Sequence, residues 1–207
     1  MDVATIAETP VSSRCYDEPM PGDPARKQAT YEDVLAAPRH LVAEVVRGSL
    51  SLVPRPRPLH SRTSSRLGIR LGGFDGDGQD GPGGWVILDE PELHLGPEIV
   101  VPDLGGWRRA RMPELPTDLP YFVLAPDWAC EVLSPSTERL DRSDKAEIYA
   151  EHGVTNVWFV DPEIQTLEVL RLDGATYRLI KTFGGDAHVR AEPFDAIEFA
   201  LATLWQR

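Results

Sequence analysis

Short apolar runs separated by glycine, proline and aspartate recur along the chain from about residue 30 onward. Runs with such boundaries are typical of strands joined by turns. Two pairs of runs flank a turn, at Gly48 and at Asp173-Gly174, and each pair predicts a β-hairpin. The predicted strands cover residues 41–53, 85–88, 91–95, 99–101, 128–133, 155–160, 166–172 and 175–182.

Three other stretches predict helices from the spacing of their residues and from their caps. The first begins at residue 30, the second covers residues 60–71, and the third covers residues 140–152. Because the third helix lies between two apolar strands with short links, it predicts a right-handed crossover between parallel strands. The expected fold class is α/β, in the form of an α+β mixed sheet with flanking helices and extra hairpins.

The composition favours one folded domain. A chain of 207 residues with 42% hydrophobic residues can form a real core. Residues 1–29 mix Pro, Ser, Asp and Glu without periodicity, so we expect a disordered or loosely packed tail before a domain at residues 30–207. No apolar run approaches the roughly 20 residues of a membrane helix, and no secretion signal is evident. Cys15 and Cys130 are not expected to form a disulfide, so a cytoplasmic protein is predicted.

The charge is negative overall and unevenly distributed. A net charge of −12 argues against broad, non-specific DNA binding, because neutralising phosphates requires a basic surface. However, residues 55–70 contain five arginines and no acid, whereas residues 71–103 contain eight acids and no lysine or arginine. A cation-binding segment beside a phosphate-binding segment is compatible with a nuclease. A solvated, highly charged surface is the alternative interpretation.

Two acids at or near the ends of apolar strands, followed by a lysine on a helix, are the candidate catalytic residues: Asp103, Glu131 and Lys145. Carboxylate oxygens suit a hard divalent cation such as Mg²⁺. A lysine beside such a site can stabilise a phosphate or orient the water that attacks it. The alternative for Lys145 is a surface pair with Asp141, four residues earlier.

Glu44 lies within the apolar first strand, where a charge is costly unless it is paired or binds a cation. Two interpretations stay open for it: membership of the same site, or a pair with Arg47 or another arginine. Each interpretation predicts a different partner for one buried carboxylate.

The second predicted helix carries arginines at helical spacing. Arg62, Arg66 and Arg70 lie four residues apart, so they share one face that could follow a phosphate backbone or could be solvated. His60, at the start of this helix, is either a contact to substrate or attacking water, or a structural histidine. Residues 105–111 predict a basic loop with one tryptophan, which could contact substrate or form a solvent-facing turn.

These residues also resemble a known family. Pro102-Asp103, Glu131 within Glu-Val-Leu-Ser-Pro-Ser-Thr, and the run Asp-Arg-Ser-Asp that ends at Lys145 are similar to the Uma2 family (DUF820). This family is a branch of the PD-(D/E)xK restriction-endonuclease-like superfamily. The superfamily pattern expects a lysine at position 133, where this chain has Leu133; in Uma2-like members the lysine lies on the next helix, a place that Lys145 fits. The similarity continues through Tyr149 and the following strand, and covers roughly residues 30 to 205.

The resemblance implies a restriction-endonuclease-like core and a DNA endonuclease dependent on Mg²⁺ or Mn²⁺. Asp103 and Glu131 would bind the metal, Glu44 would complete the site, and Lys145 would orient the nucleophilic water. His60 also matches a histidine of the family. Since two cuts need two sites, a homodimer is a further expectation.

Two other functions stay open. A catalytically silent nucleic-acid-binding or assembly module that kept the fold is favoured by the acidic net charge and by Leu133. A metal-dependent hydrolase of small phosphoesters would use the same ions without a basic groove. Binding of divalent ions separates the first alternative from an enzyme, and binding of DNA separates the second.

Overall fold

The computed structural model describes residues 28–76 and 81–206. Its centre is a six-stranded sheet in the order β10-β9-β8-β7-β6-β3, and a second sheet has the order β2-β1-β5-β4. The strands are β1 (Leu41–Val46), β2 (Ser49–Pro54), β3 (Trp85–Asp89), β4 (Leu93–Leu95), β5 (Glu98–Val100), β6 (Leu104–Arg108), β7 (Trp128–Val132), β8 (Asn156–Asp161), β9 (Thr166–Asp173), β10 (Thr176–Gly184), β11 (His188–Val189) and β12 (Phe199–Ala200).

Helices lie beside these sheets and at the C-terminal end. They are α1 (Tyr31–Leu35), α2 (Pro58–Leu71), α3 (Glu138–Leu140), α4 (Ala146–Glu151) and α5 (Ala202–Trp205). A single π-helical turn, Asp141–Lys145, joins α3 to α4, so residues 138–151 form one helical segment. The second and third predicted helices are confirmed, and each begins two residues earlier than expected.

The central sheet is mixed, as predicted. Strands β7 and β8 are parallel, in a register that runs from Trp128 opposite Asn156 to Val132 opposite Val160. The other neighbours in this sheet are antiparallel. The helical segment 138–151 connects the two parallel strands and therefore returns the chain across the sheet. The α/β fold class and the mixed sheet with flanking helices are confirmed.

Both predicted hairpins are present. In the first, Arg47 and Gly48 have φ values of 50° and 72°, which is the left-handed backbone that a tight two-residue turn requires. The turn fixes the register of β1 against β2, and it places Glu44 opposite Ser51. The second hairpin joins β9 to β10 through Gly174, whose φ is 66°.

Hydrophobic residues pack on both sides of the central sheet. Trp128 and Cys130 of β7 belong to one buried cluster, which also receives α2 and the C-terminal segment. Ala129 and Leu133 belong to the other cluster, with Tyr149 of α4. Side chains alternate along a strand, so Glu131 lies on the same side as Ala129 and Leu133, as expected.

The predicted basic loop at residues 105–111 is wrong, because Leu104–Arg108 is strand β6 of the central sheet and Trp107 is buried. The glycines were misleading, since they serve packing rather than a turn. A Cβ on Gly105 would lie 2.8 Å from Cγ of Pro91, and a Cβ on Gly106 would lie 3.0 Å from Cε3 of Trp128. Only Arg109 to Arg111 follow the strand as an exposed turn.

In the described part of the chain, no helix is both long and apolar enough to span a bilayer. Cys130 is buried and carries a free thiol. Cys15 and almost all of the predicted tail, residues 1–29, lie outside the described residues.

Candidate active site

Four predicted site residues from separate parts of the chain line one cavity of about 440 Å³. Glu44 comes from β1 and Glu131 from β7, while Asp103 lies between β5 and β6. Lys145 comes from the π-helical turn. The structure therefore brings together Glu44, Asp103, Glu131 and Lys145, whose numbers span about half of the chain.

Asp103 is held at the end of the central sheet. Since Leu104 pairs with Cys130, continuing the same antiparallel register places Asp103 opposite Glu131. Its Oδ2 accepts a hydrogen bond of 2.7 Å from the backbone N–H of Val132. Its Oδ1 lies 3.3 Å from Nε2 of His60. The strand pairing and these two contacts fix the carboxylate at the cavity wall.

The Lys145 ammonium lies among the acids and is only 3% exposed. Its Nζ is 2.9 Å from Oε1 of Glu131, 3.1 Å from Oε1 of Glu44 and 3.6 Å from Oδ1 of Asp141. It also donates a hydrogen bond of 3.2 Å to the carbonyl of Val101. Burial disfavours the charged ammonium, but attraction to Glu131 and Glu44 outweighs it and raises the pKa of Lys145 well above its ordinary value.

The widened turn of the helix coincides with the site. Within Asp141–Lys145 the two buried residues are Asp141 and Lys145, and both line the cavity. Single π-turns inside helices occur frequently at functional sites. The expected alternative, an exposed Asp141–Lys145 pair, is wrong because both side chains are buried.

Glu131 is more than a partner for the lysine. The Tyr149 hydroxyl donates a hydrogen bond of 2.5 Å to its Oε1. Burial raises the pKa of Glu131 well above its ordinary value; Asp141 and Asp103 add to that rise, while Lys145 and the Tyr149 hydroxyl oppose it. Burial therefore outweighs the attraction of Lys145 at this carboxyl group.

His60 reaches the site from the first turn of α2. Burial lowers its pKa, but the hydrogen bond and the charge of Asp103 outweigh burial, so the pKa of His60 is raised. Its Nδ1 is buried and has no hydrogen-bond partner among the described residues. The histidine is therefore tied to Asp103 through one ring nitrogen and leaves the other unpaired.

The donor set fits a hard divalent cation in type and in charge. Five carboxylates line the cavity against one buried ammonium, and carboxylates are the preferred ligands of Mg²⁺ and Mn²⁺. Within residues 28–76 and 81–206, no three His, Cys, Asp or Glu side chains already stand in a ligating cluster. Glu44, Glu131 and Asp141 instead contact the Lys145 ammonium. To bind a metal, these carboxylates would have to give up some of those contacts.

Two predicted substrate contacts lie elsewhere. Arg62 and Arg66 line a second cavity, of about 450 Å³, which shares none of its lining residues with the acidic one. Nε of Arg62 donates to the carbonyl of Gln206 at 2.7 Å, and Nε of Arg70 donates to Oγ1 of Thr203 at 3.1 Å. This face of α2 therefore packs beside the C-terminal segment. Contact of Arg62 and Arg66 with substrate stays a prediction.

The alternative pairing of Glu44 with Arg47 is wrong. Oε1 of Glu44 accepts a hydrogen bond of 2.7 Å from the backbone N–H of Val101, besides its contact with Lys145. Arg47 instead contacts Glu151 and Glu147 at the surface.

The sequence interpretation missed part of the cavity wall. Asp141 is the clearest omission, although its spacing with Lys145 and Tyr149, four residues each, was a usable signal. Arg55, Arg57 and Glu90 also line the cavity, and only the fold places them there.

Comparison with known proteins agrees with this geometry. The Uma2 family model, described as "Putative restriction endonuclease", matches residues 29–203. This chain belongs to the Uma2 family. The match includes every acid that lines the cavity, and Lys145, so the site lies inside the matched region.

A solved Uma2 (DUF820) structure has the same fold. It is described as the crystal structure of "a putative nuclease belonging to DUF820 from Anabaena variabilis". The two chains share 22% sequence identity with a TM-score of 0.66, over 86% of this chain and 97% of the other. No curated protein matches this chain.

Proposed function

We propose that this Uma2 protein is a Mg²⁺- or Mn²⁺-dependent DNA endonuclease whose active site is the acidic cavity. The observation that carries the proposal is the convergence of Asp103, Glu131 and Lys145 on one cavity from three separate elements. A solvated charged surface would not bury these side chains at 2–14% exposure.

Asp103 and Glu131 are the metal ligands in this proposal, and Glu44 completes the set. A Mg²⁺ held by these carboxylates would supply Lewis-acid chemistry: it would polarise the phosphate and lower the pKa of a bound water. The backbone N–H of Val132 orients Asp103, and the Tyr149 hydroxyl orients Glu131, so neither carboxylate has to be positioned during the reaction. Lys145 orients the nucleophilic water and stabilises the negative charge that develops on the phosphate.

A catalytically silent module is the competing function, and one observation favours it. Glu44 and Glu131 already engage the Lys145 ammonium, and such a buried network can be purely structural. Calorimetric titration with Mg²⁺ and Mn²⁺ separates the two: an enzyme site binds the ion and loses that binding in Asp103→Asn, whereas a silent module binds neither ion at millimolar concentration.

Plasmid cleavage tests the proposal. Purified protein is incubated with supercoiled DNA in Mg²⁺, in Mn²⁺ and in EDTA, together with the Asp103→Asn and Lys145→Met variants. We expect nicked or linear product with either metal, and none with EDTA or with either variant. Arg178→Gln is the control, because Arg178 is exposed and pairs only at the surface with Asp173.

Circular dichroism verifies that each variant is folded. Cleavage that persists in EDTA, or that is unchanged in both site variants, would refute the assignment. Turnover of small phosphate esters without any DNA binding would select the hydrolase alternative instead.

A further inference from the structure

The acidic cavity continues into a neighbouring depression on the same surface, distinct from the α2 cavity. This neighbouring cavity has a volume of about 560 Å³ and shares four lining residues with the acidic cavity: Val42, Arg55, Glu90 and Val101. Because the two cavities have a common wall, they form one groove that begins at the acids. We call it the site groove.

Three exposed arginines line the site groove. Arg57 lines the acidic cavity, Arg39 lines the neighbouring cavity, and Arg55 lines both. In the described part of the chain, none of these three guanidinium groups forms a salt bridge; Arg55 makes only a 3.4 Å hydrogen bond to the carbonyl of Arg39. Some other exposed arginines are paired with acids, such as Arg178 with Asp173 and Arg190 with Glu198, whereas Arg62 and Arg70 form side-chain hydrogen bonds to the C-terminal segment.

The backbone that carries these arginines is restricted. Arg55 and Arg57 alternate with Pro54, Pro56 and Pro58 between β2 and α2. Proline fixes φ, so this segment loses little conformational entropy when a ligand binds to its side chains. Exposed, unpaired guanidinium groups on a restricted backbone suit planar, bidentate recognition of phosphate.

We propose that Arg55 and Arg57, with Arg39, bind the DNA phosphates on one side of the cleavage point, so that the DNA backbone runs along the site groove. This rests on the proposed endonuclease function, since the groove starts at the acids that would hold the metal beside the scissile phosphate. The arginines are positioning residues that bind DNA and do not touch the reacting atoms. A chain with a net charge of −12 needs such a local basic path, because its general surface repels phosphate.

Two further acids line the site groove near the arginines, Glu90 and Glu92. Glu92 contacts Nε2 of His94 at 2.8 Å, whereas Glu90 is exposed, lines both cavities, and has an unusual backbone φ of 45°. A carboxylate beside the path of the phosphates weakens DNA binding, so removing the charge of Glu90 should strengthen it.

DNA binding in the Asp103→Asn background tests the proposal without cleavage. Fluorescence anisotropy with a labelled DNA duplex is measured across a salt series in Mg²⁺. We expect Arg55→Gln/Arg57→Gln to weaken binding at least about tenfold and to reduce the salt slope by about 2. Arg178→Gln/Arg190→Gln removes the same two charges from a surface away from the groove, so it should change binding less than about twofold.

A third pair distinguishes the two basic surfaces. The groove proposal requires Arg62→Gln/Arg66→Gln, on the other face of α2, to weaken binding less than the groove pair does. Glu90→Gln should strengthen binding. A groove pair that behaves like the Arg178/Arg190 control, a larger loss in the Arg62/Arg66 pair, or weaker binding in Glu90→Gln would overturn the proposal.

Cleavage and binding fail independently. DNA binding that depends on Arg55 and Arg57, in a protein that never cuts DNA with Mg²⁺ or Mn²⁺, would uphold the groove and refute the endonuclease. Metal-dependent cleavage with full affinity in the groove pair would uphold the endonuclease and refute the groove. Absence of any DNA binding by the protein would refute the groove directly.

Discussion

The acidic cavity and the arginine face of α2 have similar volumes, about 440 and 450 Å³, but they are built in different ways. The acidic cavity draws Glu44, Asp103, Glu131, Asp141 and Lys145 from two strands, a connection and a widened helical turn, and all of these except Asp103 are buried. The α2 cavity draws all of its lining from one helix, residues 61–70, where Arg62 and Arg70 are exposed and Arg66 is half-buried.

The difference shows which charged patterns indicate a site. Burying Glu44, Glu131 and Lys145 costs free energy, and the fold offsets that cost through their mutual contacts and through hydrogen bonds with Val101 and Tyr149. Exposed arginines at helical spacing carry no comparable free-energy cost, so the spacing alone does not indicate a functional site. Substitutions should therefore have large effects in the acidic cavity and small effects on the α2 face.

Loss of the buried cation is expected to have the largest effect on stability. Lys145→Met leaves Glu44, Glu131 and Asp141 buried without their counter-ion, so the free energy of unfolding should fall by about 3 kcal/mol in the absence of metal. Urea denaturation measures it. Arg142→Met is the matched control on the same helical segment; Arg142 pairs with Glu138 and Glu168 near the surface, and its loss should cost about 1 kcal/mol or less.

A metal that binds these acids should also raise the free energy of unfolding of Lys145→Met. The increase should be larger for this variant than for the parent protein. Equal destabilisation by both substitutions would show that the buried network is no different from a surface pair.

Loss of a metal ligand is expected to have the largest effect on activity. Asp103→Asn keeps an acceptor for the Val132 N–H but removes the negative charge, so plasmid cleavage should fall at least about 100-fold while the fold is retained. Cleavage rate and Mg²⁺ affinity are measured together. If Asp103→Asn binds Mg²⁺ as tightly as the parent protein, Asp103 is not a metal ligand.

The Tyr149 hydroxyl should have an intermediate effect. Tyr149→Phe removes the donor to Glu131, which should reduce the free energy of unfolding by about 1.5 kcal/mol and change Mg²⁺ affinity. Tyr177→Phe is a close control, because that hydroxyl donates at 2.6 Å to the carbonyl of Val154, far from the acids. If both substitutions leave Mg²⁺ affinity unchanged, Tyr149 has no role in orienting Glu131.

The smallest effect is expected on the α2 face. Arg70→Gln loses one hydrogen bond to Thr203 at the surface, so stability should change by about 0.5 kcal/mol or less and cleavage by less than about twofold. Thermal unfolding and the plasmid assay measure both. A loss of cleavage comparable to that of Asp103→Asn would end the distinction between the two cavities.

Much of the fold followed from local patterns in the sequence. Gly48 and Gly174 located the hairpins, and the helix between two apolar strands located the parallel pair. Residues 104–108 failed because glycine was interpreted as a turn residue. At Gly105 and Gly106 glycine is needed for contact with Pro91 and Trp128, which lie far away in the sequence.

The site was only partly predictable for the same reason. A charge inside an apolar strand indicated Glu44, and strand ends indicated Asp103 and Glu131, because their cost or position is local. No local pattern marks Arg55, Arg57 and Glu90. The connection between β2 and α2 carries the two arginines to the cavity, and the end of β3 carries Glu90, whose backbone N–H donates to the carbonyl of Asp103. Arg62 and Arg66 are marked by a clear local pattern, their helical spacing, but they lie on another surface.

Anomalous diffraction from a crystal soaked in Mn²⁺ would show directly whether the acidic cavity binds a metal. We expect one strong anomalous peak in the acidic cavity, within coordination distance of the Asp103 and Glu131 carboxylates, and none in the α2 cavity. No peak in the acidic cavity at saturating Mn²⁺, with Lys145 still bound to Glu44 and Glu131, would contradict it.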